Sequence, residues 1–446
     1  MTTLARPARP LRHDRYVLFL TAYDYRFEVG GLERYVRDEM ALLADRGTSA
    51  VCLFPFPTKR SQRMHRWSSG FWGVVADGRL VGFYGTDAVA GLLAAWARAG
   101  QQPLETQIHH LRHYDLARVR RLLADLPVPV KLFLHDYYTV CPQYNLLKNG
   151  ERYCGEAMPS PAKCHDCSSW TPKHQGEIRA LLEGVRERLT VVAPSVPAQR
   201  IWLASFPDFA ARTAVVPHLK PAGETIRAVA AANSVDPIRW AFLGAPYRHK
   251  GWETFCELAR QAREGRLNYE FIHFGRARQA DFAIRHVPVS FVADGADAMT
   301  AALRQAKIDV ALLWALWPET YSYTLWESWQ ARAMVVTNPD SGNVAHAVAS
   351  RNLGVVLRDA GELWAYARDP DRVRQAVASF RKNNAGLPAA MVPNDEILGL
   401  IDFARTDALE GREAPARKAL AVGALYQLKR WKKAWSASDW LASREG

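Results

Sequence analysis

A polar segment with two acids, placed directly after a long apolar run, is the feature that most constrains the fold of this chain. The run IDVALLWALW leads into PETYSYTLWE, where Glu319 and Glu327 stand eight positions apart. Because the hydroxyls of Thr320 and Ser322 are good helix starters, a helix is predicted from about Tyr321. Its free amides and positive end would face any anion at that point, with Glu319 at the helix mouth. A buried strand that leads into such a helix is typical of parallel α/β folds.

Short β-rich runs alternate with helical periods through most of the chain. The first series begins with strand 16–22, helix 32–47 and strand 49–56, and a second begins with strand 238–244 and continues to a helix at 342–349. This alternation predicts parallel α/β architecture. We therefore predict two Rossmann-like, doubly wound halves of similar size.

Two local patterns make sharper predictions. Apolar segments at 71–75 and 80–84 flank Asp77 and Gly78, a hairpin turn signal, so an antiparallel pair is predicted inside the first half. The segment VPVSFV, at 287–292, predicts a strand in the second half.

Changes in composition set the predicted domain limits. They predict a mobile Pro- and Arg-rich tail at 1–13 and a first domain at 14–219. A linker with two prolines follows at 220–237, then a second domain at 238–395, and C-terminal helices with a basic tail at 396–446. A cysteine-rich insert occupies residues 141–167 of the first domain.

Overall composition narrows the class of protein. With 446 residues, of which 49% are apolar, the chain can bury large cores. It lacks the roughly 18 uninterrupted apolar residues of a membrane span, and its first residues lack the apolar run of a signal peptide. We therefore expect a cytoplasmic protein. The formal net charge of +13 favours acidic partners, which could be nucleic acid, an anionic membrane or a phosphate-bearing substrate.

Three motifs occur in a suggestive order: GGLE at 30–33, HKG at 249–251, and the segment from Glu319 to Glu327. Together they resemble the retaining glycosyl transferases family 4 (group 1), and the resemblance covers residues 16–357. It implies the GT-B fold, in which two Rossmann-like domains face a central cleft and a C-terminal helix crosses back. In that family the first half holds the acceptor and the second holds the sugar nucleotide.

By this resemblance, Lys250 would neutralise the diphosphate of the donor. Arg248 is a second donor-binding candidate, although the family usually places an arginine several residues before the lysine. The lysine follows strand WAFLG, where ligands of open α/β sheets collect. The alternative is a solvated lysine at a helix start.

The resemblance also assigns roles to the two acids. Glu319 would contact hydroxyls of the donor sugar near the reacting carbon, and Glu327 the ribose hydroxyls, since carboxylates accept hydrogen bonds. The amides of Thr320 and Tyr321 would take the departing phosphate oxygens. The alternative is that both acids are solvated groups on an amphipathic helix.

Further candidates lie in the first half. Gly30 and Gly31 could let backbone amides approach a phosphate, or form only a tight turn. His135 and Asp136 end the strand VKLFLH, and in the family a histidine or acid near this point lines the cleft beside the sugar. A buried structural histidine is the alternative for His135. His218 resembles the histidine that closes the family's first domain, and we interpret it as a domain-border residue.

Four of the six cysteines lie close together in the sequence. Cys141, Cys154, Cys164 and Cys167 follow C-x12-C-x9-C-x2-C, and the last pair has zinc-knuckle spacing. A structural four-thiolate zinc site would hold an insert with little hydrophobic content of its own, with His165 as a further candidate ligand. An iron-sulfur cluster or unbound reduced thiols would fit the same residues.

The C-terminal tail is strongly basic. Residues 414–438 contain six Lys or Arg and no acid, with Leu425, Leu428, Trp431 and Trp435 at helical spacing. Such a face could rest on an anionic leaflet at the inner face of the plasma membrane. It could equally be the terminal helix that folds back across the first domain.

These expectations combine into one function. The chain is expected to be a retaining, hexosyltransferase-like glycosyltransferase that moves a sugar from a nucleoside diphosphate sugar to a saccharide or lipid-linked hydroxyl acceptor, in bacterial-type cell-surface polysaccharide or glycolipid synthesis. No cofactor is expected for catalysis. The alternatives are a non-catalytic GT-B saccharide-binding or scaffold protein and, more weakly, a sugar-nucleotide epimerase. Nucleic acid is not an expected partner, because no compact basic motif with interleaved aromatics lies outside the tail.

Overall fold

A computed structural model gives the architecture of the chain. The structure describes residues 11–28, 30–56, 70–155, 159–225, 236–276, 283–386, 388–406, 409, 419–428 and 430. Strands, numbered in chain order, are β1 Arg15–Leu20, β2 Ser49–Pro55, β3 Phe71–Ala76, β4 Arg79–Gly85, β5 Gln102–Ile108, β6 Val130–Phe133, β7 Leu147–Lys148, β8 Arg152–Tyr153, β9 Leu189–Ala193, β10 Thr213–Val215, β11 Leu219–Thr225, β12 Ile238–Leu243, β13 Tyr269–Phe274, β14 Ile284–Val287, β15 Val310–Leu312, β16 Met334–Thr337, β17 Gly354–Val356 and β18 Pro388–Pro393.

Helices alternate with these strands. The α-helices are Gly31–Asp45, Thr86–Arg98, Leu116–Asp125, Pro161–Cys164, Pro172–Glu183, Val196–Ser205, Trp252–Glu264, Phe291–Asp294, Ala298–Gln305, Tyr323–Gln330, Asn343–Arg351, Ala360–Ala367 and Pro370–Asn383. Short 3-10 turns occur at Arg186–Arg188, Pro207–Arg212, Arg248–Lys250, Pro339–Ser341 and Asp395–Leu400. Residues 420–428 are also helical.

The chain divides into two compact units. The first unit comprises Met1–Phe133, Lys173–Val192 and Asp395–Gly446, and the second comprises Leu134–Pro172 and Ala193–Asn394. These limits differ from the predicted domains, because residues 134–172 and 193–219 group with the second unit. One residue of each of these segments, His135 and Ser195, is hydrogen-bonded to Thr320 in the same unit.

The first unit is built on a mainly parallel sheet. Its strands follow the order β9-β6-β5-β1-β2-β3-β4, parallel from β9 to β2 and antiparallel from β2 to β4. The predicted hairpin is confirmed, and its central residues Asp77 and Gly78 both have positive φ. The Asp77 carboxylate also accepts hydrogen bonds from the amides of Arg12 and Ala50, both at 3.0 Å. Leu11 is buried and the Arg12 amide is hydrogen-bonded to Asp77, so the end of the predicted mobile tail is ordered within the first unit. Residues 1–10 of that tail lie outside the described residues.

A buried polar network crosses this sheet. The side-chain amide of Gln107 donates to Glu39 at 2.6 Å and to Glu105 at 2.8 Å. Lys131 forms an ion pair with Glu105. His109 contacts the Gln107 side-chain oxygen at 2.9 Å. Burial raises the pKa of Glu39 to about 7 despite its hydrogen bond from Gln107. The network satisfies polar groups that join helix Gly31–Asp45 to β5 and β6.

The C-terminal segment packs within the first unit. The Ala419 amide donates to the Phe83 oxygen at 2.7 Å, and the Tyr426 ring lies 5.0 Å from that of Phe83. The Tyr426 hydroxyl also hydrogen-bonds Asp24. This agrees with the predicted return of a C-terminal helix, while Trp431 and Trp435 lie outside the described residues. In the described part of the chain, none of the helices has both the length and the apolar character needed to cross a bilayer.

The second unit contains a wholly parallel sheet. Its strands follow the order β14-β13-β12-β15-β16-β17. The order places β12 and β15 side by side, and the topological switch beside them is where open α/β sheets bind ligands, beyond the carboxyl ends of the strands. Large buried rings such as Trp240, Phe242 and Phe255 fill its core.

Two sequence predictions in this unit are wrong. Part of the predicted linker is strand β11, which pairs antiparallel with β18 from far along the chain, and residues 226–235 lie outside the described residues. The strand predicted at 287–292 lies earlier, as β14, and shares only Val287 with the predicted range. Ser290 instead caps the short helix Phe291–Asp294 by accepting from the Ala293 amide at 3.4 Å.

Candidate functional site

The segment that carries Glu319 is held by the chain that follows β16. The Asn343 amide donates to the Glu319 backbone oxygen at 2.9 Å, and the Asn338 side chain donates to the Ala315 oxygen at 2.9 Å. Gly342 has φ +63, and a Cβ there would lie 2.6 Å from the Cα of Pro318. Only glycine fits this close approach, so the segment after β16 holds the backbone around Glu319 in place.

Lys250 is positioned by a second close approach. It ends the turn Arg248–Lys250, after which Gly251 takes φ +85. A Cβ on Gly251 would lie 2.3 Å from the Trp314 oxygen, while the Leu316 amide donates to the His249 oxygen at 2.9 Å. The turn after β12 is therefore pressed directly onto the segment after β15.

These two constraints bring Lys250 and Glu319 together. The Lys250 Nζ lies 2.5 Å from the Glu319 Oε1 and 5.5 Å from the centre of the Trp317 ring. Glu319 is only 5% exposed, whereas the Lys250 side chain is 37% exposed. Glu327, just over one turn into helix Tyr323–Gln330, is 7% exposed. Neither acid is a solvated surface group, and the pair presents a buried carboxylate with a partly accessible cation.

Thr320 is hydrogen-bonded in two directions. Its Oγ1 donates to the His135 backbone oxygen at 2.7 Å, and its own oxygen accepts from Ser195 Oγ at 2.8 Å. His135, Ser195 and Thr320 all lie in the second unit, so two segments distant in sequence are hydrogen-bonded to the residue after Glu319. Sequence reasoning missed Ser195, whose only local signal was a helix-capping position, and it assigned His135 a side-chain role without its carbonyl contact.

Aromatic rings surround the next residue. The Tyr321 ring lies 4.4 Å from that of His218, and the Tyr321 hydroxyl accepts from the Leu219 amide at 3.2 Å. His218 also lies 5.2 Å from the His135 ring. Burial, with a smaller contribution from the His135 charge, holds the pKa of His218 well below its usual value. His218 is therefore a neutral residue packed against Tyr321 and His135. It lies nearer to Glu319 than its interpretation as a domain-border residue implied.

The helix after this segment begins at Tyr323, slightly later than predicted. Ser322 occupies the N-cap position but makes no side-chain cap hydrogen bond, and its hydroxyl contacts Thr324 Oγ1 at 3.0 Å. The Thr320 hydroxyl is directed to His135. The hydroxyls of Thr320 and Ser322, which were predicted to cap the helix, therefore bond other groups. Neither of these side chains caps the positive end of the helix.

Other predicted site residues have local partners. Arg248 pairs with Glu253 at 3.3 Å on the surface, and Asp136 accepts from the Tyr138 amide at 2.9 Å. The structure therefore does not bring the Arg248 guanidinium to Glu319. Asp136 shapes the turn after His135.

Gly30 and Gly31 lie in the first unit. Gly30 is extended and precedes helix Gly31–Asp45. The Glu33 Oε2 lies 2.6 Å from where a Cβ of Gly30 would be, so this chain's own carboxylate fills the space beside the turn. Burial raises the pKa of Glu33. A phosphate contact at Gly30 and Gly31 stays a prediction.

The four clustered cysteines all line one cavity of about 170 Å³ in the second unit. None forms a disulfide. Across the residues that the structure describes, no three or more His, Cys, Asp and Glu side chains are grouped so that they could hold a metal ion. Cys141, Cys154, Cys164 and Cys167 therefore share a cavity without closing around a common point.

Comparison with known proteins supports the fold. No protein-family model matches the chain, and no curated protein matches it in sequence. Among solved structures, it is similar to sucrose-phosphate synthase from Thermosynechococcus elongatus, with 13% identity, a TM-score of 0.54, and coverage of 86% of this chain and 96% of that one. It is also similar to HepE from Anabaena in complex with UDP-glucose, with 11% identity, a TM-score of 0.50, and coverage of 82% and 93%. The chain thus has the two-domain α/β fold of the GT-B class, as its sequence predicted.

The Gly251 close approach makes a prediction about stability. Gly251→Ala should lower the free energy of unfolding by about 1–2 kcal/mol for the positive φ and by a further 1–3 kcal/mol, roughly, for the clash with Trp314. Gly244→Ala is the matched control, since Gly244 has φ +93 but no atom within 4 Å of its Cβ position. Urea unfolding of both variants measures the difference. Equal losses would contradict a tight contact between the two segments.

Proposed function

We propose that the chain is a retaining glycosyltransferase that transfers a hexosyl group from a nucleoside diphosphate sugar to a hydroxyl acceptor. The observation that carries the proposal is the Lys250–Glu319 pair at the carboxyl ends of β12 and β15. A buried carboxylate can accept sugar hydroxyls, and an accessible ammonium can neutralise a diphosphate. The pairing also explains why neither charge is left alone before the donor binds.

Donor binding would exchange the partners of this pair. The diphosphate replaces Glu319 as the counterion of Lys250, and Glu319 turns to hydroxyls of the donor sugar near the reacting carbon. The amides of Thr320 and Tyr321, which directly precede the N-cap residue Ser322, receive the phosphate oxygens as negative charge grows on the leaving group. Glu327 would hold the ribose. The acceptor oxygen attacks the face from which the diphosphate departs, so the anomeric configuration is kept.

The charged groups of the site provide the positive environment without a cofactor in this proposal. The fold of the chain is similar to that of HepE, which was solved with UDP-glucose, so UDP-sugars are the first donors to test. The resemblance to family 4 of retaining glycosyl transferases supports the same chemistry. A non-catalytic saccharide-binding protein of this fold is the alternative, and it would bind donor without turnover.

Substitution of the paired residues tests the proposal. Glu319→Gln should lower kcat roughly 10²–10³-fold, the range typical for loss of one transition-state contact. Lys250→Met should weaken donor binding about 10- to 100-fold, because a hydrogen bond to a charged group contributes about 1.5–3 kcal/mol. Initial rates and donor titrations over a panel of UDP-, GDP- and ADP-sugars measure both effects.

Glu253→Gln provides the control, since it neutralises an exposed acid next to the same turn. It should leave both constants within about twofold of wild type. Wild-type turnover in Glu319→Gln would refute the assigned site. Donor binding without turnover in the wild-type chain, with every acceptor class tried, would favour the saccharide-binding alternative.

We also propose that the acceptor is a saccharide or lipid-linked saccharide met at an anionic membrane surface, as in bacterial-type synthesis of cell-surface polysaccharide or glycolipid. The helical residues 420–428 expose Leu420, Leu425 and Leu428 by 79%, 48% and 58%. Six basic residues occur in the surrounding tail, 414–438. An apolar face flanked by cations suits the inner leaflet of the plasma membrane, which would place the protein peripherally on its cytoplasmic side.

Vesicle binding separates this role from simple packing of the helix. Leu420→Ser/Leu425→Ser/Leu428→Ser should reduce sedimentation with phosphatidylglycerol vesicles at least severalfold, because three exposed apolar contacts are lost while Tyr426 stays packed. Neutral phosphatidylcholine vesicles should pellet little of either form. Equal pelleting of variant and wild type would end the membrane proposal.

A further inference from the structure

The cysteine-rich insert brings four thiols from distant positions to one cavity. Cys141, Cys154, Cys164 and Cys167 line it, together with the cationic side chains of Lys148 and Lys163 among others. The sequence separates the first and last of these cysteines by 26 positions. Convergence of all four on one cavity is a tertiary feature that spacing alone does not provide.

Backbone contacts fix the turn that contains the last two thiols. The Cys167 amide donates to the Cys164 oxygen at 2.9 Å, which closes the two-residue turn. Asn149 links this turn to the β7-β8 hairpin, because its Oδ1 accepts from the Ser168 amide at 2.9 Å. Lys148 strengthens the link by pairing with Asp166 at 2.6 Å. The turn is therefore built before any ligand is bound.

The other two thiols are placed by the chain on either side of that hairpin. Cys154 directly follows β8, and its amide donates to the Leu146 oxygen at 2.8 Å. The three-residue connection between the strands, 149–151, has positive φ at both Asn149 and Gly150. Cys141 closes the turn after His135, with its amide on the Tyr137 oxygen at 2.9 Å.

The local charges suit thiolates. Lys148 and Lys163 line the same cavity as the four cysteines. Nearby Lys148 and Lys163 would offset the double negative charge that four thiolates leave on a divalent ion.

The insert has little regular structure. In its described residues, which leave out 156–158, that structure consists of the two-residue strands β7 and β8 and the four-residue helix Pro161–Cys164. Leu146 and Leu147 are buried beside the hairpin, but the helix has no buried residue. Small elements of this kind are typical of domains that gain folding free energy from a structural metal.

We propose that Cys141, Cys154, Cys164 and Cys167 bind one structural zinc ion as a four-thiolate site. The sulfur atoms turn toward the cavity that they already line, and the site closes in tetrahedral geometry with Zn–S distances of about 2.3 Å. Each bound thiol gives up its proton, so binding releases protons and strengthens with pH. The zinc has no open position and takes no part in the transfer chemistry.

The zinc would also stabilise the turn after His135. The amides of Val140 and Cys141 both donate to the Tyr137 oxygen at 2.9 Å, and Thr139 accepts from the Trp202 indole at 3.0 Å. A metal bond at Cys141 therefore anchors the same turn that presents the His135 oxygen to Thr320. Removal of zinc should loosen this part of the second unit.

Metal analysis of the full-length chain, purified under reducing conditions, is the first test. We expect about one zinc ion per chain, and Co²⁺ reconstitution of the metal-free chain should give the thiolate-to-metal charge transfer and visible bands of a tetrahedral sulfur site. Titration of the native chain with a mercurial should release zinc together with the loss of four thiols. Absence of zinc both as purified and after reconstitution would overturn the proposal, and so would stoichiometric iron with acid-labile sulfide.

Variants identify the ligands. Cys164→Ser/Cys167→Ser should lose the zinc and show a lower melting temperature, whereas Cys256→Ser, on helix Trp252–Glu264 outside the insert, should keep it. Should the double variant fail to fold, the mercurial titration of the wild-type chain still decides the matter. Full zinc retention by the double variant would contradict the assigned ligands.

Discussion

The hydrogen bonds on both sides of Thr320 are the contacts on which the second unit depends. Its side chain donates to the His135 oxygen, and its own oxygen accepts from Ser195, so two segments from the first half of the chain are fastened beside Glu319. The bond from Ser195 satisfies the buried Thr320 carbonyl, and loss of that donor would leave the carbonyl unpaired at a cost of about 1–3 kcal/mol. Residues 134–172 and 193–219, which contain His135 and Ser195, group with the second unit.

The same segment carries the charge that defines the candidate site. Gly251 and Gly342 allow two backbone segments to approach it more closely than any side chain would permit. Lys250 and Glu319 are consequently held within hydrogen-bond distance on rigid supports. A preformed pair of this kind costs little reorganisation when a ligand replaces one partner, which is the property that electrostatic catalysis requires.

The sequence predicted the features that depend on local pattern. Alternating apolar runs located most strands of both sheets, and the Asp77-Gly78 signal located the hairpin, because turn chemistry and burial act over a few residues. The segment PETYSYTLWE identified the carboxylate that the structure buries beside Lys250. One local signal was misinterpreted: VPVSFV has strand-forming residues, but Ser290 within it acts as a helix cap.

Features that depend on distant pairing could not be predicted. The contacts of Thr320 with His135 and Ser195 join positions more than a hundred residues apart, as does the pairing of β11 with β18. Arg248 pairs with Glu253, five residues away on the surface, and its role in donor binding stays a prediction.

A crystal structure of the chain with a bound nucleoside diphosphate would show whether Lys250 and Glu319 form the donor site. The nucleotide would be the one that most raises the melting temperature, since a ligand of the native state stabilises it by mass action. We expect the diphosphate to lie on Lys250 and the amides of Thr320 and Tyr321, with the Lys250–Glu319 hydrogen bond broken. A nucleotide bound elsewhere with that hydrogen bond intact would contradict this expectation.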